Sequence, residues 1–294
     1  MLLCAAAFCF ALPAVTAALD KPVQANASLE ERKMPMRFSW IACDPHCRGW
    51  ISAVGIVTAD TPKAFDDFAG AHDLGGATVV LDSSGGSVND AIALGRRWRE
   101  LGLRTTVGTS VAIKTATGNR AAVVPEAYCE SMCAFMLLSG KVRYVPHGAH
   151  VRVHQIWMGD RADDAKAASY TAQDLMIVER DIGRLAKYTF DMGGAGDLLS
   201  LALSVPPWED LHELSPAELR STNLVTTDAV AEVLPGNGIA DVTPVANLVA
   251  KPVQDRFPGS VADTAAMTTI TKPTKTAEAI PTGGVATAAP AQQQ

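Results

Sequence analysis

Lysine and arginine form no long basic stretch in this chain of 294 residues. Its 25 basic side chains are outnumbered by 31 acidic ones, for a formal charge of −6. Phosphate backbones are held by clustered cations, so nucleic acid is not expected as the main partner. Aromatic residues are scarce, at 6%, and no internal repeat is visible. The remaining composition is that of an ordinary globular protein, with length for one large domain or two small ones.

No lysine or arginine precedes the apolar run Leu2–Val15. The run ends in small residues at Ala14-Val15-Thr16-Ala17-Ala18, which reads as a signal peptide over residues 1–18 cleaved near Ala17 or Ala18. The run is ~14 residues, short of the ~20 that a spanning helix needs. An uncleaved membrane anchor is the alternative. Neither Cys4 nor Cys9 follows a small residue, which argues against a lipoprotein. The expectation is a periplasmic or secreted protein.

Residues 19–49 read as a flexible lead-in carrying Cys43 and Cys47, and structure is expected to start near Phe38. Residues 50–235 form the expected folded domain. Residues 236–294 read as a largely disordered tail. From Lys251 onward the tail is rich in Ala, Thr, Pro and Gly and has too little apolar bulk to offset its ordering entropy.

Between these ends strands and helices alternate. Trp50–Val57, Ala77–Asp82, Arg104–Gly108, Val142–Val145 and Ala149–His154 read as strands. Thr61–Ala71, Val88–Leu101, Ser131–Ser139 and a long Ala165–Phe190 read as helices. Ser215-Pro216-Ala217-Glu218 opens another, as cap, proline and first-turn acid. This order implies an α/β fold with a mostly parallel sheet covered by helices.

Three segments carry chemistry. Ser83-Ser84-Gly85-Gly86-Ser87 is a tight turn between a strand and a helix. Adjacent glycines permit positive φ and close backbone approach, at a helix start suited to stabilising an anion. It lacks the Gly-x-Gly-x-x-Gly spacing of a dinucleotide site. Ser131 opens a strongly apolar helix, either as an N-cap or as a nucleophile. His154 ends a strand, either as a satisfied structural group or as a general base with a pKa near neutral.

Taken together, these segments resemble the proteolytic subunit of Clp protease and its crotonase-fold relatives. Ser84-Gly85-Gly86-Ser87-Val88, then Ser131-Met132-Cys133-Ala134-Phe135-Met136-Leu137-Leu138, then Val153-His154-Gln155 match that family in order and local sequence. Leu214-Ser215-Pro216-Ala217-Glu218 and Asn223-Leu224-Val225 extend the likeness, which covers about residues 50 to 232. It is nearest to an exported branch with an N-terminal pair of cysteines.

The resemblance implies a Clp-protease/crotonase-like ββα superhelix. It makes Ser131 the nucleophile, His154 its base, and the Gly86 and Met132 amides an oxyanion hole. It also implies a peptide or protein substrate, no cofactor, no metal and a homo-oligomer. At the family's acid position this chain has Leu211, so Asp210 is the candidate to orient His154, with Glu209 and Glu213 as further options. The motif that docks an ATP-driven unfoldase is not recognisable, so no such partner is expected. Glu130 replaces a small residue before Ser131; an acid there either raises a histidine pKa or marks a site that has lost its chemistry. The stretch from Gly86 to Ser131 carries an insertion around Lys114 to Ala127.

Three functions follow: an ATP-independent exported serine peptidase, a catalytically inactive binding or assembly module, or an acyl-thioester enzyme. The last fits poorly where coenzyme A is absent.

Past the signal the chain keeps Cys43, Cys47, Cys129 and Cys133, an even count suited to disulfides after export. Cys129 and Cys133 are i, i+4, a spacing that a regular helix does not readily bridge. If Cys129 lies in the turn before the helix, a bond could form and brace the loop of Ser131. Pairing to Cys43 or Cys47 is the other option, and zinc held by Cys43, His46 and Cys47 a third.

Overall fold

The computed structural model describes residues 29–43, 48–115, 118–159 and 169–235. The expected signal peptide, the 236–294 tail, His46 and Cys47 lie outside the described residues. Among the described residues, no helix is long and apolar enough to cross a membrane.

The chain begins with a short helix α1 (Leu29–Lys33) and strand β1 (Arg37–Ile41). The stretch read as a lead-in therefore contributes to the fold: β1 pairs antiparallel with β2 (Trp50–Val54). Its alternation, Phe38 and Trp40 on one face, is only two residues deep, too short to stand out as a strand. Next come α2 (Thr61–Gly70), β3 (Thr78–Asp82), α3 (Val88–Glu100) and β4 (Arg104–Val107). Strand β5 (Thr109–Thr115) and strand β6 (Gly118–Val124) form a hairpin, which accounts for the insertion. Then follow β7 (Tyr128–Glu130), α4 (Met132–Leu137), β8 (Arg143–Tyr144) and β9 (His150–Val153). The chain continues with α5 (Ala172–Asp191), α6 (Gly196–Leu203), β10 (His212–Glu213), α7 (Pro216–Ser221) and α8 (Val230–Val233).

The fold is mixed α/β. The main sheet runs β1-β2-β3-β4-β8, and every pairing after the first is parallel. Strand β3 is buried along its whole length, as a central parallel strand must be. A second small sheet runs β10-β9-β7, with β7 and β9 parallel. Phe38, Phe65 and Trp98 meet edge-to-face where α2 and α3 cover the main sheet. Each fully buried apolar side chain of this layer, such as Phe65, Leu81 or Leu94, contributes ~1.5–3 kcal/mol.

Helix α4 is apolar throughout and buried on all sides. Two devices fix it. Gly95 of α3 leaves space that any Cβ would fill, so Tyr188 of α5 passes and donates its hydroxyl to the Phe135 carbonyl at 3.2 Å. At the other end, Arg99 and Arg143 donate to the Leu138 and Gly140 carbonyls. Cations there complement the negative end of the helix dipole and satisfy orphan acceptors.

Candidate active site

Strand β3 ends at Asp82 and the chain enters the Ser83–Ser87 bend. Gly85 and Gly86 have φ of 94° and 126°. A Cβ on Gly86 would overlap the Val57 carbonyl, and one on Gly85 would lie 2.8 Å from Ser131 Cβ and 2.9 Å from Met132 N. The double glycine is needed because the bend is squeezed between residue 57 and the turn at Ser131. The Val57 amide donates to the Gly85 carbonyl at 2.7 Å, and the Ser87 amide to the Val57 carbonyl at 2.9 Å.

The bend is also tied to β7. Ser83 N–H donates to the Tyr128 carbonyl at 2.8 Å, and Glu130 N–H to the Ser83 carbonyl at 2.9 Å. Strand β7 then breaks at Ser131, which has φ 56° and ψ −122°. Only one other non-glycine residue among those described, Asn223, has positive φ. Such a conformation costs about 1–3 kcal/mol in a serine and clusters at functional sites. A sharp strand-to-helix turn of this kind lifts a nucleophilic hydroxyl clear of the backbone. The Ser131 side chain makes no capping hydrogen bond to α4, so the cap reading of this residue is set aside.

The Ser131 amide donates to the Arg152 carbonyl at 2.8 Å, which joins the turn to the strand that leads into His154. Ser131, Met132, Gly86 and His154 all line one cavity of about 510 Å³. Its wall is largely apolar, built by residues such as Val88, Phe135, Ile156, Trp157 and Leu185. Asp181 is the one acid among the described residues that line it, held by Asn89, Arg180 and Arg184. Among the described residues, no oxygen accepts a hydrogen bond from the Gly86 or Met132 amide.

His154 is half-buried and packs edge-on against Trp157 at 5.9 Å. Burial lowers its pKa from the usual 6.5, opposed by a hydrogen bond to the Gln155 backbone and by the charge of Glu130. A neutral imidazole at neutral pH is what a proton acceptor requires. No carboxylate among the described residues hydrogen-bonds His154. Asp210 is exposed and does not line the cavity. Glu209 is exposed as well. Glu213 is engaged elsewhere, by His150 at 2.8 Å and Arg152 at 3.0 Å, and these partners hold its pKa low.

Sequence reasoning missed the polar cluster behind the site. Glu130 accepts from Ser84 of the bend at 3.1 Å and pairs with Arg152 of β9 and Arg32 of α1, each at 3.5 Å. Arg32 lies over the Tyr128 ring at 4.2 Å, and Arg152 also faces that ring at 4.9 Å. Arg32 sits in a segment with no periodicity, so nothing local marked it. Trp157 and Asp181 were also unmarked; an aromatic after a strand and an acid in a long helix are ordinary in sequence.

Cys129 and Cys133 form a disulfide with Cα atoms 5.0 Å apart. Cys129 lies in β7 rather than in the helix, which makes the i, i+4 bridge feasible. Cys43 is disulfide-bonded too, so it is not a thiolate ligand for zinc, and its partner lies outside the described residues. No cluster of potential metal ligands occurs among the described residues.

The chain matches no protein-family model, and no curated protein matches it. Function therefore rests on the geometry.

Proposed function

We propose that this chain is an exported serine hydrolase that cleaves peptide bonds without ATP. Ser131 is the nucleophile, His154 takes its proton, and the Gly86 and Met132 amides stabilise the oxyanion. The observation that carries the reading is the conformation of Ser131. A strained serine, with no capping role, stands at a strand-to-helix turn and shares a cavity with a histidine whose pKa burial lowers and with two amides that no oxygen among the described residues engages.

In the first step the Ser131 hydroxyl attacks a carbonyl carbon while His154 accepts the proton. The carbonyl oxygen gains charge next to the two N–H groups. Each such donor contributes about 3 kcal/mol to the transition state. His154 returns the proton to the leaving group, and water then releases the acyl group by the same path.

The reading extends to the fold and the setting. A mostly parallel sheet beside a small second sheet, with nucleophile and base directly after the neighbouring strands β7 and β9, supports a Clp-protease/crotonase-like superhelix. Three disulfide-bonded cysteines, Cys43, Cys129 and Cys133, support export. A homo-oligomer belongs to the same reading, as the family resemblance implies.

One observation favours a second reading, a catalytically inactive binding module: no carboxylate among the described residues hydrogen-bonds His154. Hydrolysis of p-nitrophenyl esters and peptide amides by wild type and Ser131→Ala separates the two. The hydrolase reading expects turnover that Ser131→Ala abolishes. Turnover that is absent, or the same in both proteins, favours the module.

A further inference from the structure

A serine at φ 56° relaxes toward a right-handed conformation unless its surroundings prevent it. Two hydrogen bonds hold its own backbone: the amide to Arg152, and the carbonyl, which accepts from the Ala134 amide at 3.1 Å. One covalent link spans the turn. Cys129 belongs to β7 and Cys133 to the first turn of α4, and both are fully buried. The bond joins residues four apart in sequence, and Ser131 is the middle residue of the ring it closes. Relaxing φ and ψ at Ser131 would swing α4 away from β7 and part the two cysteines.

A disulfide stabilises a fold broadly when it closes a long loop, because that removes most entropy from the unfolded chain. This one closes a very short loop. Its main effect is local, at the turn.

We propose that the Cys129–Cys133 disulfide is a positioning element of the active site. It locks the turn that presents the Ser131 hydroxyl and the Met132 amide together. The inference rests on the hydrolase reading above. Without the bond, the hydroxyl and one oxyanion donor shift relative to Gly86 and His154. The apolar wall is built largely by other elements, at Val88, Ile156 and Leu185, and stays in place. Chemistry suffers while binding persists.

The test compares wild type with two disulfide-free pairs, Cys129→Ala with Cys133→Ala, and Cys129→Val with Cys133→Ala. The second pair refills more of the buried volume. Hydrolysis of p-nitrophenyl butyrate gives kcat and KM, and urea unfolding reports the fold. The expected result is a fall in kcat of about tenfold or more with KM changed less than about twofold, in proteins that still unfold cooperatively. Unchanged kcat in both pairs overturns the inference and leaves the hydrolase reading standing. So does loss of cooperative folding in both pairs, since that marks a global role. If wild type shows no turnover that depends on Ser131, the hydrolase reading fails first and this inference falls with it.

Discussion

The amide of Ser131 donates to the carbonyl of Arg152 at 2.8 Å, two residues before His154 in the chain. This bond extends the β7–β9 ladder past its last paired residues, Glu130 and Arg152. It sets the serine turn and the end of the histidine strand side by side. The separation of these two residues in sequence is thus closed by sheet register, and the double-glycine bend docks against the same turn through Gly85.

The strain at Ser131 has a measurable consequence. Glycine has no Cβ penalty at φ 56° and ψ −122°. Ser131→Gly is therefore expected to raise stability by about 1 kcal/mol while abolishing turnover. Ser131→Ala abolishes turnover without that gain. Urea unfolding of the three proteins checks the order; a Gly variant no more stable than the Ala variant would show that the turn is not strained.

The depressed pKa of His154 fixes the sign of the pH response. Deprotonated imidazole is the active form, so kcat/KM rises with pH through a midpoint below 6.5 and then levels off. Glu130 opposes the depression, so Glu130→Gln moves the midpoint lower still. Stability follows by linkage. Between 6.5 and the folded pKa the unfolded chain binds more protons, so this group favours unfolding as pH falls through that window. A pH–rate midpoint above 6.5 would contradict the assignment of His154 as base.

Gly86→Ala introduces a Cβ against the Val57 backbone, at φ 126°. Backbone overlap and an unfavourable φ are together expected to cost ~2–4 kcal/mol and to displace one oxyanion donor. The variant should melt lower and lose most of its kcat. Gly76→Ala is the control: it also has positive φ but nothing within contact distance, so it pays the backbone cost alone and keeps its activity.

Arg143 carries a structural prediction. It is buried and donates to the Leu138, Gly140, Met192 and Asn223 carbonyls. Burial pushes its pKa down to about 10, so it stays charged at neutral pH. Arg143→Met strands the Asn223 carbonyl and leaves the other three to Arg99, and is expected to cost ~1–3 kcal/mol, read as a lower urea midpoint.

Much of this arrangement was legible in the sequence. The apolar run Thr78–Asp82, the Ser-Gly-Gly-Ser bend, the capping box at Ser215 and Glu218, and the apolar helix after Ser131 all follow local rules. What escaped is non-local. The β5–β6 hairpin shows only as an insertion, because its strands are defined by pairing with each other. The extended reading of Ala165–Phe190 gives way to a helix from Ala172, where Thr171 and Asp174 form a capping box; residues 160–168 lie outside the described residues. Asp210 adjoins the family's acid position at Leu211 in the chain, yet orientation of a histidine is decided in space. Arg32 and Glu130 meet only because α1 folds back over Tyr128.

The most direct measurement is covalent. A fluorophosphonate reacts with a serine only when a base and an oxyanion hole activate it. Mass spectrometry of the digested protein should place the adduct on Ser131, and Ser131→Ala should carry none. No adduct on the folded wild-type protein, or an adduct elsewhere that Ser131→Ala leaves undiminished, would contradict the account.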